Sequence, residues 1–178
     1  FYYDNPKLIP QELREGSIFI HNASSTPNNN NMGYQDIYNQ NRELREKTIE
    51  NIISSNFKLL INISSMSVYG EIKEEIINEN YRTLPKDLYG LSKLLSEIEI
   101  NTASKKSKLK NILHIRLPGI ISKEAKGIFV ARLLESIRNN KKISIKSKEA
   151  TFNNATTAED IGKTIINFIS SHERLPKV

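Results

Sequence analysis

Residues 58–70 read KLLINISSMSVYG, and this stretch decides the fold. Its first six residues, 58–63, form a short aliphatic run of the kind that fills a strand covered on both faces. Two serines follow at once, at Ser64 and Ser65, so the strand ends in hydroxyls. Two further runs have the same character, SIFIHN at 17–22 and NILHIR at 111–116. Between the first and second, Leu44, Thr48, Ile49, Ile52 and Ile53 recur at helical spacing and predict a helix over 35–54. A second helix is expected over 87–103, with Leu91, Leu95 and Ile98 as its apolar face. Strand, helix, strand, helix, strand at this spacing requires parallel crossovers, hence an α/β layered sheet.

The last third predicts helices over 127–140 and 158–171 and a short strand at 143–145. Two polar loops, 22–33 (NASSTPNNNNMG) and 69–86, are longer than a connector needs. Both follow strands, on the side of a parallel sheet where ligands bind. Asn28 to Asn31 forms a small low-complexity tip.

Composition places the chain among soluble globular proteins: 178 residues, 38% hydrophobic and 26% charged. That length suits one domain with a full core. No apolar run reaches the length of a membrane span, and residues 1–16 hold no basic segment followed by an apolar stretch, so no secretory signal is expected within them. With no cysteine, disulfides and thiolate metal sites are excluded, and no metal is expected. These features fit a cytoplasmic protein. The net charge of +6 gathers at Lys105, Lys106, Lys108 and Lys110, and at Lys141, Lys142, Lys146 and Lys148. No aromatic residue is interleaved with either cluster, so solvated lysine is preferred to nucleic-acid binding. The expected partners include neither nucleic acid nor membrane.

Chemistry concentrates in YGLSK at 89–93. Tyr89 and Lys93 stand four apart, on one face of a helix, and Glu97 continues their polar stripe. An ammonium beside a phenol is expected to lower its pKa and make it a proton donor and acceptor near neutrality. The same spacing occurs at Tyr3 with Lys7 and at Tyr69 with Lys73, but only Tyr89 opens a good helix between two strands. Serines that end a strand, as Ser64 and Ser65 do, are by themselves commonly turn formers or caps.

Taken in order, SSMSVYG at 64–70, a loop containing Glu79, Pro85, YGLSK, Glu97 and HIRLPGI at 114–120 resemble the central region of the extended short-chain dehydrogenase/reductases, the NAD-dependent epimerase/dehydratase family that includes UDP-galactose 4-epimerase. Upstream, IHNAS at 20–24 is similar to that family's fourth strand. The likeness runs from about residue 17 to 160. It implies a Rossmann-like, doubly wound parallel sheet, NAD or NADP as cofactor, and a nucleotide-activated sugar as substrate. It also implies a homodimer formed through the two helices. By the same resemblance Ser65 hydrogen-bonds the reacting sugar oxygen, Tyr89 is the acid/base, and Lys93 holds the cofactor ribose and tunes the tyrosine. Ser64 shares the role of Ser65 near the cofactor, and Ser67 contacts substrate. Asn41 or its neighbour Asn39 lies near the cofactor. Asn22 and Ala23 approach the nucleotide, and Pro118 and Gly119 line the nicotinamide pocket.

Family members that dehydrate sugars at positions 4 and 6 carry an Asp-Glu pair where this chain has Met66 and Ser67. Elimination is therefore disfavoured, leaving epimerisation or 4-keto reduction. The family's opening Gly-x-x-Gly-x-x-Gly turn has no counterpart, since no two of the seven glycines lie within three residues of each other. The chain, which begins at Phe1, is accordingly expected to be part of a longer protein. On that reading, 1–178 is one partial Rossmann-like domain whose residues 150–178 lead toward a substrate lobe, and these residues alone would hold cofactor weakly. A reductase of a non-sugar carbonyl and a non-catalytic binding protein of the same fold are the alternatives.

Overall fold

The computed structural model describes residues 9–27, 33–121, 129–143 and 155–173. They fall into two compact units, residues 1–117 and 118–178.

The first unit holds a three-stranded parallel sheet in the order β1 (Ile18–His21), β2 (Leu59–Ser65), β3 (Ile112–Leu117). Helix α1 (Tyr34–Ile53) connects the first two strands and α2 (Leu88–Ser104) the second pair. Every boundary lies within a residue or two of the expected one, because short aliphatic runs and long helical periods are the strongest local signals. Asp87 starts α2: its side chain accepts the backbone N–H of Gly90 at 2.7 Å, the usual work of an N-cap aspartate.

Register decides what faces the helices. Phe19, Leu60 and Ile112 are aligned across the three strands. They pack with Ile9, Ile52, Phe57, Ile100, Ala103 and Leu109 in the core. Side chains two residues on share that face, and there the row is His21, Asn62 and His114, followed by Ser64 and Arg116. The layer between sheet and helices thus changes from aliphatic to polar toward the carboxyl edge of the strands.

Both helices meet this layer with polar residues, which departs from the expected faces. α2 buries Ser92, Lys93, Ser96 and Glu97 beside Ile100 and Ala103, while Leu91 and Leu95 are half-buried and Ile98 is 51% exposed. α1 buries Asn41, Arg45, Thr48 and Asn51 with Ile37 and Ile52, and Ile53 is 51% exposed. Polar groups are buried readily when each has a partner. Here the two helices supply some of them to each other, through Asn41 with Ser92 at 3.1 Å and Arg45 with Glu99 at 2.9 Å.

In the second unit β4 (Gly119–Ile121) pairs in parallel with β5 (Ala155–Thr157). α3 (Phe129–Arg138) and α4 (Ala158–Glu173) complete it. The Thr157 hydroxyl accepts the N–H of Asp160 at 3.1 Å and starts α4. Of the strand expected at 143–145, Ile143 is not in a strand. Residues 144–145 lie outside the described residues, as do Asn28 to Asn31, residues 127–128, and Tyr3 with Lys7. No helix among the described residues is long and apolar enough to cross a membrane.

Candidate active site

Strand β2 ends at Ser65, which caps the short 3-10 turn Met66–Val68. Its hydroxyl accepts the Ser67 N–H and meets the Ser67 hydroxyl, both at 3.1 Å. The first turn of α2 lies directly against this turn. A Cβ on Gly90 would stand 2.5 Å from the Ser67 carbonyl oxygen and 3.1 Å from Pro85, closer than side chains approach. Only glycine at 90 allows that contact, which brings its neighbour Tyr89 to the end of β2.

There the Ser65 hydroxyl is near enough to the Tyr89 phenol to favour its ionised form. Burial acts more strongly in the opposite direction, and Asp87 adds to it, so the phenol's pKa is raised above its ordinary value. This corrects the expectation that Lys93 would lower it. The Lys93 ammonium turns instead to the Ile63 carbonyl, at 2.6 Å. Burial brings its own pKa down to about 8, against the favourable charge of Glu97. At neutral pH the site therefore holds a protonated phenol, the form a general acid needs.

The other expected residues divide. Ser64 points to α2 and donates to Glu97 at 2.5 Å, so it serves the interior, away from Ser65. Asn41 is the buried member of the Asn39/Asn41 pair. Its carboxamide accepts the Ser25 N–H at 2.7 Å and donates to the Ser25 carbonyl at 3.0 Å and to Ser92. Asn41 thereby ties the loop after β1 to both helices. Asn39 lies half-buried near Gln35. Asn22 and Ala23 are exposed at the carboxyl end of β1. Pro118 and Gly119 belong to the second unit, Gly119 within β4. The competing pair separates: Tyr69 is buried, whereas Lys73 is exposed.

Two sets of contacts escaped sequence reading. One is the pairing of Glu97 with Arg116, a forked ion pair of 2.7 to 3.3 Å. Burial pushes the Glu97 carboxyl up, but the hydrogen bonds from Arg116 and Ser64 outweigh it and hold the pKa below the ordinary value. The available signal was Arg116 two residues after His114, which puts both on the same face of β3.

The other set is that of His21, buried at the end of β1 with Nδ1 3.2 Å from the Thr48 hydroxyl. Burial, and then the charge of Lys93, brings its pKa down to about 4 from 6.5. The folded value lies below the unfolded one, so the folded state disfavours the proton. The stability His21 contributes is complete above pH 6.5 and lost as pH falls through about 4, and amounts to about 3 kcal/mol. Melting temperatures followed from pH 7 to pH 4 are expected to fall less steeply in a His21→Gln variant. Equal slopes would assign the acid loss to other groups.

Among the described residues no cluster of His, Asp or Glu could hold a metal ion. What the edge of β2 presents is a hydroxyl, a phenol and a buried amine, a donor set suited to an alcohol or carbonyl. No curated protein sequence matches the chain, but solved structures do. UDP-glucuronic acid 4-epimerase from Bacillus cereus, in complex with UDP-glucuronic acid and NAD, superposes with a TM-score of 0.76 at 20% identity, over 90% of this chain and 50% of that one. UDP-N-acetylglucosamine 4-epimerase from Bacillus cereus gives 0.73 at 19% identity, over 90% and 56%. A double mutant of DesIV, the dTDP-glucose 4,6-dehydratase from Streptomyces venezuelae, gives 0.74 at 15% identity, over 89% and 49%. The chain thus spans about half the length of the structures it resembles, and its fold is theirs, Rossmann-like. The profile of the NAD dependent epimerase/dehydratase family covers residues 9–171, and it is to this family that the chain belongs.

Proposed function

We propose that the protein belongs to an NAD-dependent enzyme that epimerises or reduces a nucleotide-activated sugar, with Ser65, Tyr89 and Lys93 at its reacting centre. The close approach of the first turn of α2 to the turn that Ser65 caps, which brings the half-buried Tyr89 near the Ser65 hydroxyl, together with the Lys93 amine on the Ile63 carbonyl of the same strand, carries this reading.

Each residue has a defined task. Ser65 bonds the sugar oxygen that alternates between alcohol and carbonyl. Tyr89 gives that oxygen its proton when the alcohol forms and takes it back when the carbonyl forms. An ammonium has three donors and the Ile63 carbonyl takes one. The others would hold the hydroxyls of the cofactor ribose, so the donor set fits the nicotinamide–ribose end of NAD. The exposed Asn22 and Ala23 would flank the nucleotide, and Ser67 would reach substrate. When bound, NAD supplies the hydride chemistry. Met66 and Ser67 carry no carboxyl group, so elimination of water lacks its second acid–base pair and the dehydratase reading is not preferred.

The outer faces of α1 and α2, with Ile53 and Ile98 half exposed, favour a homodimer through these helices, and sedimentation at twice the monomer mass tests it. A cysteine-free chain suits the cytoplasm.

The test of the chemistry is direct. The full gene product is expected to enhance NADH fluorescence on titration, and to interconvert or reduce a member of a UDP- and dTDP-sugar panel. Failure to bind NADH would overturn the reading.

A further inference from the structure

The loop over 71–86 is the longest described stretch outside helix and strand in the first unit, and most of its residues are exposed. Its two ends are held together. Gly70 has φ +67°, and a Cβ there would lie 2.0 Å from the Leu84 carbonyl oxygen. A surface pair, Lys86 with Glu71 at 2.6 Å, crosses the same neck and adds little on its own. The loop leaves directly after the turn that Ser65 caps and returns directly before Tyr89, so its base flanks the candidate site. Such closed loops are packed by their own side chains and are frequently functional.

Beyond the neck, one cation reaches the loop from the interior. Arg116, at the end of β3, gives Nε and Nη2 to the Glu97 carboxylate at 2.7 to 3.3 Å. Its Nη1 donates to the Tyr69 phenol at 2.9 Å and to the Glu79 carbonyl at 3.3 Å. The guanidinium also lies over the Tyr69 ring, 4.8 Å from its centroid. Tyr81 meets that ring edge-on at 5.9 Å, and its phenol bonds Glu74. The other edge of the fork is rooted in α2, since Glu97 also holds Ser64 and lies one turn from Lys93. Only a planar guanidinium can serve both sides at once. A lysine can keep a point-charge contact with Glu97 but cannot keep the fork.

We propose that Arg116 is a positioning residue of this site, a latch that fixes loop 71–86 to the helix bearing Tyr89 and Lys93 and so sets where the loop stands beside the reacting groups. Glu97 anchors the latch. Tyr69 and the Glu79 carbonyl are what it catches.

The experiment is hydrogen–deuterium exchange on the parent and on Arg116→Lys. Exchange across 71–86 should become roughly tenfold faster in the variant, about the worth of one hydrogen bond, while α1 and α2 keep their protection. Loop exchange equal to the parent's, or an equal rise in α2, would overturn the latch. Where Arg116→Lys does not fold, Tyr69→Phe removes only the phenol acceptor, and the same two outcomes decide. A second arm rests on the proposed function. With a nucleotide sugar that the parent converts, KM should rise about tenfold in Arg116→Lys and kcat stay within about twofold. An unchanged KM would refute a positioning role. A parent that converts no nucleotide sugar counts against the proposed chemistry alone, and the exchange result still decides the latch.

Discussion

Tyr89→Phe is expected to lower turnover of a nucleotide sugar by about 10² to 10⁴-fold, the usual worth of a placed general acid or base. The ring is retained, so its packing against the end of β2 survives and NADH affinity should change little. What disappears is the phenol proton beside Ser65. The raised phenol pKa adds a direction in pH. Alcohol formation, which needs the protonated phenol, should hold its rate through neutrality and decline only as the solution becomes strongly alkaline. Carbonyl formation, which needs the phenolate, should gain with pH. Turnover of the variant within about twofold of the parent would remove Tyr89 from the chemistry.

Glu97→Ala should be the most damaging substitution for stability. Glu97 is 6% exposed and Arg116 is 21% exposed in their pair. Truncating the acid strands a mostly buried cation and leaves the Ser64 hydroxyl without its acceptor. Losing one partner of such a pair costs about 3 to 5 kcal/mol. Water can reach part of the guanidinium, so the lower end is expected. For a chain of this size that is a fall in melting temperature of about 10 °C. Glu97→Gln keeps the shape and one hydrogen-bonding oxygen and should lose less than half as much. If alanine and glutamine melt together near the parent, the pair contributes nothing to folding.

These two residues mark the limit of what could be read in advance. Tyr89 was visible because helical spacing, a following lysine and a strand-flanked position are all local. Glu97 appeared as a member of a polar stripe and of the family pattern, with no partner assigned. Its partner arrives 19 residues later on a different element, and nothing in the intervening residues announces the pairing. The helix faces show the same limit. Leu91, Leu95 and Ile98 have an apolar period, yet the stripe with Lys93 and Glu97 is the buried one. Hydrophobic period locates a helix well. It locates the buried face only when the opposing layer is apolar, and here the strands oppose it with His21, Asn62, His114, Ser64 and Arg116.

From the sequence alone came three parallel strands and two crossover helices, since these rest on short-range patterns that neighbouring residues enforce, while the serine, tyrosine and lysine were singled out by the family resemblance. Only the tertiary structure decided the direction of the Tyr89 pKa, the seat of the Lys93 amine on Ile63, the buried polar layer and the hold of Arg116 on loop 71–86. The physical reason is burial: how much water a group loses, and which distant partner replaces it, is settled only when strands and helices close on one another.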